Sequence, residues 1–150
     1  MEFTGRTAFI TGGASGMGLL SGQKLAEAGA NVVLCDVNQA ALEKAAEGIR
    51  AAGGNVLPLV VDIRKYPEVE QAEKKAVETF GAVDILLNCA GGMSGRCCNN
   101  YASFEKLPIE VIDWGLDVNL RGAIYCCLAL LNGMMELLSL VCNILISVIG

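Results

Sequence analysis

The segment Thr11-Gly12-Gly13-Ala14-Ser15-Gly16-Met17-Gly18 sets glycine at 12, 16 and 18, a G-x-x-x-G-x-G spacing between an apolar run and a helical one. Glycine lets the chain turn tightly and lets backbone come close to a ligand. The N–H groups that open the following helix then face a negative charge. A pyrophosphate fits that chemistry, and Thr11, Gly12, Ser15, Gly16, Met17 and Gly18 are the residues expected to cradle it; a plain tight turn is the competing reading. The spacing differs from G-x-G-x-x-G, because Ser21 stands where the third glycine of that motif would fall. Asp36, eighteen residues after Gly18, suits the ribose hydroxyls of an adenosine. It would repel a 2′-phosphate, so NAD is expected over NADP. An acid placed there only for a helix dipole is the alternative. Asp62 and Ile63 end the third apolar run in the same way, and the carboxylate suits an adenine edge.

Proton transfer is the chemistry that finds no carrier. Were a nicotinamide held there to exchange hydride with a carbinol carbon, some group would have to take up or deliver the hydroxyl proton. A tyrosine near its ordinary pKa of ~10 does this poorly unless a lysine one turn away assists it. Tyr66, Tyr101 and Tyr125 are followed at i+4 by Glu70, Glu105 and Ala129, so residues 1–150 contain no Tyr-x-x-x-Lys.

Short apolar runs alternating with helical periods predict βαβ units around a parallel sheet. Strands are expected at Thr7 to Ile10, Val32 to Asp36, Val56 to Val61, Val83 to Leu87 and roughly Val141 to Ser147. The first helix runs from about Gly16 to Ala28 and stops at Gly29. Asn38 caps the second, whose buried stripe is Leu42, Ala45, Ala46 and Ile49, with Gly53-Gly54 ending it. Pro67 opens the third, Val69, Ala72, Ala76 and Phe80 line one face, and Gly81 terminates it. An irregular stretch from Gly91 to Lys106 precedes Pro108 and a long helix in which Ile112, Leu116, Leu120 and Ile124 recur at i+4. The fold class is therefore α/β: a Rossmann-type, doubly wound parallel sheet of about five strands in three α/β/α layers, read as one dinucleotide-binding domain over 1–150 and incomplete at its C-terminal edge.

Eleven basic against sixteen acidic residues give a net charge of −5, and no basic run exceeds Lys74-Lys75, so nucleic acid is not expected as a partner. Seven cysteines without a secretory signal pattern read as reduced thiols in the cytoplasm. With no histidine and no zinc-ligand spacing, no metal is expected. From Arg121 to Glu136, and again after Glu136, only 14 uncharged residues follow one another. That is short of the ~20 a membrane-spanning helix needs, so a buried helix and strand are expected and a membrane is not.

Asn88-Cys89-Ala90-Gly91 at the end of the fourth run makes the pattern specific. With the Thr11 to Gly18 loop, Asp62, and Asn119 in Asp117-Val118-Asn119-Leu120, the chain resembles the short-chain dehydrogenase/reductases, whose motif at that place is Asn-Asn-Ala-Gly. The resemblance runs over essentially all 150 residues but only a little over half of a usual member, stopping before the family's Tyr-x-x-x-Lys and its C-terminal catalytic part. It implies an oxidoreductase interconverting an alcohol and a ketone with NAD, with Asn88, Ala90 and Gly91 at the cofactor. It implies Asn119 and Ser147 as active-site residues; around Ser147 the chain reads Asn143-Ile-Leu-Ile-Ser where the family has Asn-x-Ser-Ser. It also implies a homo-oligomer joined through the long helix, 108–134. The competing readings are an NAD-binding chain that catalyses nothing, a truncated gene product, and a methyltransferase using S-adenosylmethionine.

Overall fold

Alternation within the first strand sets the layers. β1 (Thr7–Thr11) is buried along its whole length, with Ala8 and Ile10 packed to one side of the sheet and Phe9 to the other. A strand flanked on both sides by other strands and covered on both faces has no solvent side, which is why its middle, Ala8-Phe9-Ile10, is apolar on both faces. In the computed structural model, which describes residues 2–92, 97–136 and 143–145, four further strands join it. They are β2 (Asn31–Asp36), β3 (Asn55–Val60), β4 (Ile85–Asn88) and β5 (Asn143–Leu145). All pairings are parallel, and the order is β3-β2-β1-β4-β5.

Helices cover both faces. α1 (Gly16–Glu27) and α2 (Gln39–Ala51) close the side on which Ile10, Val32, Leu34 and Leu87 meet Leu42, Ala45 and Ile49. α3 (Tyr66–Phe80) and the long C-terminal helix close the other, where Phe9, Val33 and Leu86 pack with Val69, Ala76, Cys126, Leu130 and Met134. The expected stops and caps fall into place. The Asn38 side chain accepts the Ala41 N–H at 3.1 Å, Pro67 lies in the first turn of α3, and Gly29, Gly53 and Gly81 take positive φ where helices end.

The long helix differs in an informative way from its i+4 row. α4 (Ile109–Leu116) passes through a π-helical stretch, Asp117–Gly122, into α5 (Ala123–Glu136). The wider turn advances the register, so a row drawn at i+4 across it does not mark the buried face. Leu116, Leu120 and Ile124 are more than half exposed, whereas Val111, Ala123, Cys126, Leu130 and Met134 are buried. Running through Arg121 rather than stopping there, the segment Ile109–Met135 is long and apolar enough to cross a membrane by length and composition, contrary to the count of uncharged residues. Within the fold its buried side is one layer of the core.

At the opposite end of the sheet from the glycine loop, Asp84 ties β1 to the start of β4. Its carboxylate accepts the buried Thr7 N–H at 2.9 Å and the Arg6 guanidinium at 2.5 Å, while its own N–H donates to the Thr7 carbonyl. Replacing Asp84 with alanine is expected to lower unfolding free energy by about 1–3 kcal/mol, because a buried donor is left without an acceptor. Removing the largely exposed Arg6 side chain should cost less than ~1 kcal/mol. Urea denaturation of the two variants checks the order; equal losses would contradict it.

Candidate functional site

Between β1 and β4 the strand order changes direction, and the C-terminal ends of the strands open onto a crevice, the place where open parallel sheets hold ligands. A cavity of about 830 Å³ occupies it, within the roughly 300–1,000 Å³ typical of cofactor sites. Gly12, Ser15, Gly16, Met17, Gly18, Asp36, Asp62, Ile63, Ala90 and Gly91 all line it, so the fold gathers these expected residues from four separate βα junctions. Thr11 and Asn88 are buried under its floor and do not line it.

The glycine loop has the shape of a phosphate cradle. A Cβ on Gly18 would overlap the Gly12 carbonyl, and one on Gly12 would sit 2.8 Å from the Cys89 carbonyl oxygen and the Ala90 nitrogen. Gly12 and Gly16 take φ of +66° and +52°. Ser15 makes no side-chain cap to α1, so its hydroxyl and the first N–H groups of the helix are left for another acceptor. This donor set and this backbone-lined space fit a dinucleotide pyrophosphate. Beneath the loop, the Thr11 hydroxyl accepts the Ala90 N–H at 3.1 Å and locks the ends of β1 and β4 together.

Both expected carboxylates face the cavity, each already anchored. Asp36 accepts the Ala14 N–H on one oxygen at 3.1 Å and the Asn38 N–H on the other at 2.9 Å. It thus holds the glycine loop to the start of α2 and keeps acceptor capacity for a hydroxyl. Asp62 accepts the Arg64 N–H at 3.1 Å and Nε at 2.8 Å on Oδ1, and the second arm of the guanidinium at 2.7 Å on Oδ2. That hydrogen-bonded guanidinium holds the Asp62 carboxyl below the ordinary carboxylate value; partial burial opposes it, and the Arg64 N–H and the Lys65 charge add to it. Glu68 is lowered as well, first by accepting the Asp62 N–H at 2.8 Å and then by Lys65.

Asn119 lies in the π-helical stretch, behind the cavity wall. Its side-chain oxygen accepts the Gly92 N–H at 2.9 Å and its amide donates to the Gly92 carbonyl at 3.1 Å, a two-point clamp on the loop after β4. A Cβ on Gly91 would stand 2.6 Å from that oxygen. Gly122, where the π stretch ends, leaves room for Ile63, which a Cβ there would meet at 2.5 Å. In these contacts Asn119 positions the cavity wall. Asn88 points its amide toward the Cys127 sulfur at 3.8 Å.

Ser147 lies outside the described residues. Arg64, Gly92, Trp114 and Val118 line the cavity without having been expected. An arginine two positions after Asp62 is the signal that would have found the first of them; for Trp114 and Val118 the π phase shift hides the inward face. Cys35 and Cys89 also line the cavity, and burial pushes both thiols up, so they remain protonated, neutral wall. Cys126 is pushed up to about 12, by burial first and Cys127 second. Cys35, Cys89, Cys97, Cys98 and Cys126 are free thiols, and among the described residues no group of three or more His, Cys, Asp or Glu is placed to hold a metal ion.

The family model described as short chain dehydrogenase matches residues 6–142. Hydroxysteroid dehydrogenase-like protein 2 of Bos taurus is 38% identical over 128 residues, covering 81% of this chain and 29% of its own. The CLA biosynthesis dehydrogenase/reductase of Lactiplantibacillus plantarum is 31% identical over 125 residues, 83% of this chain and 41% of the relative. Among solved structures, NAD+-bound xylitol dehydrogenase superposes with a TM-score of 0.87 at 28% identity, covering 95% of this chain and 54% of that one. The chain thus spans well under half the length of these curated relatives and about half of that structure. These matches lend the methyltransferase reading no support.

The lowered carboxyls make a prediction about acid. Their folded-state pKa values lie below the unfolded ones, so their stabilisation is complete above the ordinary carboxylate value of ~4 and is lost as pH falls through the folded values. The urea midpoint should therefore hold steady on this account from pH 7 to 5 and drop below about pH 4. Asp62→Asn should give a shallower acid limb in a pH series of urea titrations, since one fewer proton is taken up on unfolding; an unchanged limb would exclude the linkage.

Proposed function

Because the chain belongs to the short-chain dehydrogenase family, we propose that it is the cofactor-binding part of an oxidoreductase that interconverts an alcohol and a ketone using NAD. One observation carries the reading: a glycine loop and the carboxylates of Asp36 and Asp62 converge on a single cavity at the switch point of the sheet. Gly12, Ser15, Gly16, Met17 and Gly18 would hold the pyrophosphate, Asp36 the adenosine ribose, and Asp62 with Ile63 the adenine. Bound there, the dinucleotide supplies a hydride acceptor. Asn119, with Ala90 and Gly91, keeps the wall after β4 in place. Ser147 is proposed as an active-site residue on resemblance alone.

Residues 1–150 hold no Tyr-x-x-x-Lys, and losing a general acid/base costs about 10²–10⁴-fold. On their own they are proposed to bind NAD with little or no turnover; robust alcohol-dependent NADH formation by this chain would remove that reading. The partners are a small alcohol or ketone and a second copy of the chain, in the cytoplasm, with no part for a membrane or nucleic acid. What supports self-association is the exposed row Leu116, Leu120, Ile124 and Leu128 along the long helix. A monomer at high concentration in light scattering would count against it.

The cofactor choice rests on Asp36, whose charge opposes a 2′-phosphate. Calorimetric titration should give at least tenfold tighter binding of NAD than of NADP, since juxtaposed like charges cost several kcal/mol. Asp36→Asn should narrow that ratio mainly by improving NADP. Equal affinities in the unaltered chain would overturn the preference, and no binding of either would overturn the function.

A further inference from the structure

Arg64 meets Asp62 along the edge of its guanidinium, through Nε and one terminal nitrogen, at the wall of the cavity. Acceptor arithmetic on the carboxylate is informative. Oδ1 receives both the Arg64 N–H and Nε–H, which fill its two lone pairs. Oδ2 receives one guanidinium hydrogen bond, and Lys65 Nζ stands off at 3.9 Å while bonding Glu68 at 2.9 Å. One acceptor position therefore remains on Oδ2. The Asp62 side chain is only 14% exposed, and its residue lines the cavity. A bidentate arginine fixes the plane of a carboxylate as well as its position, which a lysine does not do.

We propose that Arg64 is a positioning residue for base recognition, presenting the one open lone pair of Asp62 to the exocyclic amine of adenine. This rests on the dinucleotide reading given above. The Arg64 end of the pair is 40% exposed, which limits what the pair adds to stability, so a side-on fork at a cavity wall is better matched to orientation than to holding the fold. Without the fork, Lys65, Asp62's other cationic neighbour, is drawn to Oδ2 and takes the position that the amine would fill. The charge of Asp117 in the π-helical stretch also favours the Arg64 cation, after the Asp62 hydrogen bond and charge.

The test compares NAD with nicotinamide hypoxanthine dinucleotide, in which a carbonyl oxygen replaces the amine and turns an acceptor toward Asp62. Calorimetry on the 150-residue chain should show about tenfold preference for NAD, the worth of one hydrogen bond to a charged group. Arg64→Met should bring that ratio close to one. Arg64→Lys, which keeps the charge and the fold but not the fork, should also reduce it, and decides the matter if the methionine variant does not fold. A ratio unchanged in the folded variants, or no preference in the unaltered chain, overturns the role of Arg64 while leaving the dinucleotide site standing. Failure of the unaltered chain to bind NAD at all overturns both.

Discussion

Everything at the cavity depends on backbone packed against backbone where β1 turns into α1. Gly18 lies against the Gly12 carbonyl, and Gly12 against the peptide joining Cys89 to Ala90, with no space for a Cβ at either place. That contact brings the N-terminus of α1 over the ends of β1 and β4 and makes the crevice shallow enough for main-chain donors to reach a ligand. The Thr11 hydroxyl then fastens the same two strands by taking up the Ala90 N–H. Widening this junction by one methyl group would displace the helix whose N–H groups define the site.

The polar groups around that junction share one design. Asp36, Asp62 and Asn119 each spend part of their hydrogen-bonding capacity on neighbouring backbone and keep their loops from relaxing. A carboxylate that only faced solvent would sample several rotamers and give up entropy when a ligand arrived. One already held by two N–H groups, as Asp36 is, meets a hydroxyl with little further ordering, the sense in which a site is preorganised. The same bonds resist relaxation of the loops when the cavity is empty.

The legible part of the fold was the part governed by local rules. Alternating apolar runs and helical periods located all five strands, and the Asn38 cap, Pro67 and the glycine stops bounded the helices within a residue or two. The glycine loop, Asp36, Asp62 and Ala90-Gly91 were legible because their positions at strand ends follow from topology. Thr11 and Asn88 were recognisable as motif residues, but whether they line a cavity or lie beneath it depends on strand-to-strand packing that no local window contains. Arg64 went unnoticed because its partner is two residues away, a spacing that helical and strand periodicities both pass over. The i+4 row of the long helix does not mark its buried face, because a π-helical stretch shifts the phase, and nothing in Asp117-Val118-Asn119-Leu120-Arg121-Gly122 announces a wider turn except the glycine that closes it.

That wider turn answers a conflict between two demands on one helix. α5 must lay Cys126, Leu130 and Met134 on the sheet, while Asn119, half a dozen residues earlier, must reach sideways to both polar groups of Gly92. A regular helix fixes the angle between those directions at 100° per residue and leaves no freedom to satisfy both. An extra residue in the turn supplies the rotation, and Gly122 makes it sterically possible by letting Ile63 come close. Arg121 pairs with Asp117 at 2.6 Å across the same turn. The irregularity therefore belongs to the site rather than to the packing, in keeping with the frequent placement of π turns at functional positions. An apolar row, Leu116, Leu120 and Ile124, stays on the outer side of the helix, on the face away from the core.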